Sequence, residues 1–285
     1  MSILNETYAL EDGVAIPKLG LGTWFIDDDK AADAVRAAIR IGYRNIDTAQ
    51  AYGNERGVGE GVRTSGVPRE ELFVSSKLAA EIKDYDRAVA AIDESLATMG
   101  LDYIDLFLIH APQPWADFRG GDYDEGNLAA WKALEEAHRA GKLRTIGVSN
   151  FLERDVDNIL EGGTIAPHVN QLLVHPGNTP TELISYCQSR NIRVQAYSPI
   201  AHGAILDNEQ VASIARKYGA TVPQVCIRYT IQLGTVSLPK TANPDHMRSN
   251  AQVDFTISEE DMTALRELDA KDYGEHAVFP VYSGK

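Results

Sequence analysis

Eight short apolar, β-branched runs alternate with longer amphipathic stretches, no Pro/Ser-rich linker or shift in composition divides the 285 residues, and polar groups sit at the ends of the runs. Together these observations predict an α/β fold of one domain, a (β/α)8 or TIM barrel over residues 1–285. Length alone also allows two domains, but barrels of this class routinely reach about 250 residues or more as one unit.

The runs are Leu19–Trp24, Arg44–Thr48, Leu72–Lys77, Ile104–His110, Thr145–Asn150, Val169–Val174, Arg193–Pro199 and Thr235–Lys240. With the second run counted to Asp47, successive ends lie 23 to 41 residues apart, which leaves one strand and one helix per interval. The first helix candidate is Asp29–Ile41, where a run of aspartates offers an N-cap and Ala, Val and Ile recur at helical spacing. Another is Leu128–Ala140, with Leu128, Trp131, Leu134 and His138 on one stripe and Gly141 to stop it. A loop over about 111–127 and a tail over about 270–285 lie outside the repeating pattern.

The competing architecture is a doubly wound open sheet, which needs a glycine-rich turn after its first strand to hold a dinucleotide. Gly20-Leu21-Gly22-Thr23-Trp24-Phe25 opens like that turn but places Phe25 where the last glycine belongs. Gly57, Gly59 and Gly61 follow no strand directly and read as the start of a surface helix. No Walker sequence, HExxH or CxxC occurs.

Against 27 Lys+Arg stand 41 Asp+Glu, a formal charge of −14 that repels nucleic acid and anionic membrane surfaces at long range. The N-terminal MSILNETYALEDG has no apolar core of a signal peptide, and no run approaches the roughly 18 apolar residues of a membrane span. Cys187 and Cys226 stand in apolar helical contexts and read as two buried thiols in a reducing compartment. The expectation is a soluble cytoplasmic protein.

A barrel carries its chemistry at the C-terminal ends of its strands. There the runs present Asp47, Lys77, His110, Ser149-Asn150, Asn170-Gln171, Tyr197-Ser198 and Lys240-Thr241. A single polar strand end is ordinary, because the chain meets water there. An Asp, a Lys and a His on three successive strands converge on one mouth and couple their protonation. Tyr52 follows Asp47 closely enough to fold back over that mouth. A tyrosine titrating near 10 is a weak acid, and a neighbouring ammonium lowers that value. The reading is therefore Tyr52 as general acid, Lys77 as the cation beside it, Asp47 as the holder of the ammonium, and His110 as donor to a carbonyl oxygen.

The ordered set Gly42-x-Arg44-x-x-Asp47-Thr48-Ala49-x-x-Tyr52-x-Asn54-Glu55, Ser76-Lys77, Leu106-x-Leu108-x-His110-x-Pro112, Gly147-Val148-Ser149-Asn150-Phe151, Asn170-Gln171, Tyr197-Ser198-Pro199 and Pro239-Lys240-Thr241 resembles the aldo-keto reductase superfamily. The resemblance covers Gly20 to about Asn250 and lies nearest the prokaryotic branch of 2,5-diketo-D-gluconate and glyoxal reductases. It implies an NAD(P)H-dependent carbonyl reductase with the same four catalytic residues. It further implies a nicotinamide stacked on Tyr197, with Ser149, Asn150 and Gln171 on the carboxamide. Thr23, Trp24, Asp47, Ser198 and Pro199 would also contact the cofactor, and Lys240, Thr241, His246, Arg248 and Asn250 would hold its adenosine end.

Two departures stand out. His246 occupies the position of the arginine that usually grips the 2′-phosphate, so either Lys240 and Arg248 preserve NADPH preference or the enzyme also accepts NADH. Ala111 replaces a common tryptophan, which widens the substrate pocket unless loop and tail aromatics refill it. The candidate substrate residues are accordingly Trp24, Ala111, Trp115, Phe118 and Phe279; Tyr282 is a further tail aromatic.

The substrate class implied is a small dicarbonyl, keto-sugar or aldehyde, with no metal required and a monomer as the working unit. The alternatives are a non-enzymatic cofactor-binding member of the fold and a metal-dependent barrel hydrolase. The hydrolase would need several His, Asp or Glu ligands at the strand ends, where only His110 clearly ends a run among the histidines.

Overall fold

The computed structural model describes residues 2–283, so Met1 and the last two positions of the predicted tail lie outside the described residues. An antiparallel hairpin, Thr7–Ala9 (β1) with Ala15–Pro17 (β2), precedes the barrel. Eight parallel strands follow: Leu21–Gly22 (β3), Asn45–Asp47 (β4), Phe73–Leu78 (β5), Ile104–Ile109 (β6), Leu143–Ser149 (β7), Val169–Leu173 (β8), Arg193–Tyr197 (β9) and Val236–Leu238 (β10). Each falls in one of the eight predicted runs or extends it by a few residues. The sheet closes where Gly20 and Gly22 donate backbone hydrogen bonds to Ser237 and Pro239, and Ser237 donates to Lys18.

The outer helices are Asp28–Ile41 (α1), Glu55–Arg63 (α2), Tyr85–Met99 (α3), Asp124–Arg139 (α4), Glu153–Gly162 (α5), Thr181–Ser189 (α6), Glu209–Lys217 (α7), Val222–Gln232 (α8), Pro244–Asn250 (α9) and Glu259–Glu267 (α10). None of the helices among the described residues is long and apolar enough to cross a membrane. Cys187 and Cys226 are free and buried.

Side chains alternate along every strand, and this alternation builds both cores. On β6, Phe107 and Ile109 join the core against the helices, whereas Leu106 and Leu108 fill the barrel interior. On β5, Val74 and Leu78 face the helices and Phe73 faces inward. Continuing the inward parity places Asp47, Lys77, His110, Ser149, Gln171 and Tyr197 at one end of the barrel. The other end is stoppered by the hairpin, whose flanking Leu10 and whose Ile16 pack with Phe73, Leu106, Val169 and Val236. Sequence periodicity did not reveal this hairpin, because its strands are three residues long and half exposed.

Three local expectations are corrected. Asp27 sits at the N-cap of α1 without a side-chain capping bond; Asp28 Oδ1 instead accepts the backbone N–H of Gly57. Gly57, Gly59 and Gly61 do open a helix, but they are buried on its inner face rather than exposed. A Cβ on Gly59 would lie 2.1 Å from the Met99 carbonyl oxygen, so glycine is what lets α2 close on the end of α3. Helix α4 starts at Asp124 rather than Leu128, with Asp124 and Glu125 favoured at its positive N-terminal end.

Candidate active site

At the C-terminal end of the barrel Lys77 is fully buried, and its Nζ donates to Asp47 Oδ2 at 2.7 Å, to the Thr48 carbonyl at 2.7 Å and to the Tyr52 hydroxyl at 3.3 Å. Asp47 is saturated on its other side by Gln171 Nε2 at 2.9 Å. A 3-10 turn, Gln50–Tyr52, carries the tyrosine back over the mouth, and Gly53 ends it in the left-handed region at φ +66°. Buried Asn54 fixes this turn: its Oδ1 accepts from Thr48 Oγ1, and its Nδ2 donates to the carbonyls of Thr23 and Ile26. The tyrosine loop and the loop after β3 are thus one unit.

His110 stands edge-on to Tyr52, with ring centroids 5.7 Å apart, and edge-on to Trp115 at 5.0 Å. Its Nδ1 is buried without a hydrogen-bond partner, so the neutral ring is best accommodated with the proton on Nε2, the nitrogen left accessible. Burial, reinforced by the Lys77 charge, holds the imidazole well below its ordinary pKa, so it is neutral at pH 7. Burial also lowers the Lys77 ammonium, against the raising influence of Asp47.

For Tyr52 the sequence expectation is reversed. Burial and the Asp47 carboxylate push its pKa well above 10. Lys77 Nζ donates to the phenolic oxygen at 3.3 Å, but in the resting site that contact does not outweigh burial and the Asp47 carboxylate. Tyr52 is therefore a fully protonated donor, and an alkoxide, more basic than any phenolate, remains able to take its proton.

Two cavities share Trp24, Tyr52 and Tyr197 as a common wall, and each holds about 820 Å³ of empty space including its open mouth. The first is bounded by Gly22, Thr23, Ser198, Pro199, His202 and Lys240, the second by His110, Trp115, Ser149, Asn150, Gln171 and the tail residues Phe279–Tyr282. Tyr197 donates to Asn150 Oδ1 at 2.7 Å, and Asn150 Nδ2 donates to the His110 carbonyl at 3.0 Å. Backbone strain concentrates here: Phe25, Asn150, Ser198 and His202 line the cavities with φ between +50° and +61°.

Among the described residues none donates a hydrogen bond to Gln171 Oε1, Tyr197 lines both cavities, and Lys240 is a cation on the lining of the first. Thr241, His246, Arg248 and Asn250 lie beyond both cavities; His246 and Arg248 are exposed on α9, where Arg248 Nη1 contacts Asp245 at 2.8 Å. Among the described residues no group of three or more His, Cys, Asp or Glu is arranged to hold a metal ion.

Of the candidate substrate residues, Trp24, Trp115 and Phe279 line the second cavity. Ala111 and Phe118 do not: they pack together with Ala80 behind Trp115, so the ring of Phe118 fills the space an alanine leaves. Sequence reasoning leaves His202, on the lining of the first cavity, unassigned, and Tyr282, offered there only as a tail aromatic that could refill the wall, lines the second cavity. Their only signal was an aromatic in the tail and a histidine three residues after Pro199.

A model of the aldo/keto reductase family matches residues 18–270. Glyoxal reductase of Bacillus subtilis is 42% identical over 267 residues, 93% of each chain. The 9,11-endoperoxide prostaglandin H2 reductase of Trypanosoma cruzi is 41% identical over 264 residues, 91% of this chain and 90% of its own. Among solved structures, the Bombyx mori aldo-keto reductase in complex with NADP superposes with a TM-score of 0.86 at 34% identity, covering 97% of this chain and 98% of that one.

Proposed function

The chain belongs to the aldo/keto reductase family, and from its site we propose which residues act, which nicotinamide cofactor it prefers and what it reduces. It is an oxidoreductase that reduces aldehyde and ketone carbonyls with a nicotinamide cofactor, whose bound dihydronicotinamide supplies the hydride. A carbonyl oxygen seated between Tyr52 and His110 receives hydrogen bonds from the phenol and from His110 Nε2. As charge develops on that oxygen, Tyr52 gives up its proton, and Lys77, 3.3 Å away, stabilises the phenolate left behind. Asp47 holds the ammonium in place. The observation that carries this reading is the three-way contact of Lys77 with Asp47, Thr48 and Tyr52 at the wall shared by both cavities.

The preferred cofactor is NADPH. Lys240 and Arg248 provide the basic groups at the adenosine end, and the exposed Arg248–Asp245 contact is weak enough to be exchanged for a phosphate. The test is kcat/KM with NADPH and NADH in parallel. A ratio above about a hundredfold supports NADPH preference, and a ratio near unity replaces it with dual use.

The substrate chamber is lined by Trp24, Trp115 and Phe279 around two polar donors, which suits small dicarbonyls, keto-sugars and aldehydes with one apolar side. A steady-state screen across those classes tests it. The free, buried Cys187 and Cys226 favour a reducing cytoplasm. The large apolar side chains left exposed are few, Phe25, Leu152, Leu206 and Val278, which favours a monomer, checked by sedimentation.

A further inference from the structure

The last helical turn among the described residues, the 3-10 turn Pro280–Tyr282, buries Tyr282 to 2% exposure beside both cavities. Its hydroxyl lies 2.7 Å from Ser198 Oγ and 2.8 Å from His202 Nε2, and those two atoms are 3.3 Å apart. The triangle is balanced for neutral groups. Burial holds His202 neutral, with its pKa pushed down to about 4, so Nε2 takes one role, donor or acceptor, and the two rotatable hydroxyls supply the complementary ones. The Tyr282 ring also lies nearly parallel to Trp24, with centroids 6.1 Å apart, and edge-on to His202 at 4.8 Å.

The segment it grips is strained. Ser198, Ala201 and His202 take φ of +50°, +47° and +53°, a region that L side chains occupy only where surroundings hold them. Among the described residues, the side-chain hydrogen bonds of Ser198 and His202 go to each other and to Tyr282. Ser198 and His202 line the first cavity, whereas Phe279–Tyr282 line the second.

We propose that Tyr282 is a positioning residue whose hydroxyl latches the strained loop 198–203 to the tail, so that cofactor retention and substrate selection depend on one contact. The inference rests on the reading of the first cavity as the dinucleotide site. Opening the loop to release cofactor breaks the triangle and frees the tail. The wall of the substrate chamber is therefore complete only while the loop is closed.

Tyr282→Phe keeps the ring and removes the latch. NADPH dissociation, followed by recovery of tryptophan fluorescence in a stopped-flow instrument, becomes about tenfold faster, the scale of two neutral hydrogen bonds. The KM for cofactor rises while kcat holds or increases, and kcat/KM discrimination between glyoxal and a bulky aromatic aldehyde narrows. His202→Phe in the Tyr282→Phe background adds little further, because both act on one triangle. Wild-type dissociation in Tyr282→Phe, or full additivity of the two changes, overturns the latch. Failure of the unaltered enzyme to bind either NADPH or NADH overturns instead the cofactor reading on which it stands.

Discussion

Gln171 Nε2 donates to Asp47 Oδ1 across 2.9 Å, joining two strands 124 residues apart in the chain. The bond has two effects. It completes the hydrogen bonding of a carboxylate whose other oxygen binds Lys77, and it turns Gln171 Oε1 into the open acceptor of the chamber. Gln171→Leu leaves a buried carboxylate oxygen unpaired, which costs about 1–3 kcal/mol. Denaturant unfolding should show that loss, together with a weaker cofactor dissociation constant. Unchanged values for both would mean the bond orders nothing.

Tyr52→Phe keeps the ring that lines both cavities and removes the only proton it can give. The reduction rate of a reactive aldehyde should fall about 10²–10⁴-fold, with cofactor affinity essentially intact. A variant within tenfold of the parent enzyme would remove Tyr52 from the role of acid. Persistence of wild-type activity in the presence of a chelator is the companion result.

Acid stability is set in part by buried neutral histidines. His175 is fully buried, its Nδ1 beside the Pro176 carbonyl at 2.7 Å and its Nε2 beside the Tyr273 hydroxyl at 2.9 Å, and burial pushes its pKa down to about 4. Between about 6.5 and that value the unfolded chain binds a proton the folded chain refuses. Stability from this group is thus whole above pH 6.5 and falls by about 1.4 kcal/mol per pH unit below it. His110 shifts in the same direction. Unfolding free energies at pH 7, 6, 5 and 4.5 should decline more gently in His175→Gln; an identical slope would show that the imidazole is not held neutral.

Gly59→Ala places a methyl group 2.1 Å from the Met99 carbonyl oxygen. The gain in helix propensity of about 1 kcal/mol is outweighed by forcing α2 off α3, a net loss of about 1–3 kcal/mol. Chemical denaturation measures it. Because α2 follows directly on Tyr52, kcat should fall as well; a stabilised, fully active variant would show that the helices yield freely.

How much of the site was legible follows from how each residue is placed. Asp47, Lys77, Ser149, Gln171 and Tyr197 lie on strands and His110 directly follows one, where alternation ties orientation to sequence position, and all six reach the same mouth. Asn150 breaks that alternation through its φ of +61°, which no periodicity announces. Ala111 and Phe118 lie in a loop, and their inward packing behind Trp115 depends on partners far away in the chain. The direction of the Tyr52 shift was also misread from sequence. Proximity to Lys77 and its pairing with Asp47 were inferable, but the extent of burial around the phenol, the largest cause of the shift, was not.

The sequence by itself determined the eight strand-helix units, the end of the barrel that carries polar groups and the identity of those groups, because strand periodicity and motif spacing are local properties. Only the tertiary structure decided the hairpin that stoppers the barrel, the division of the mouth into two cavities and the latch from Tyr282 to Ser198 and His202. Those depend on contacts such as the one spanning 84 residues between Ser198 and Tyr282, whose strength comes from burial, a quantity that does not exist until the chain has closed on itself.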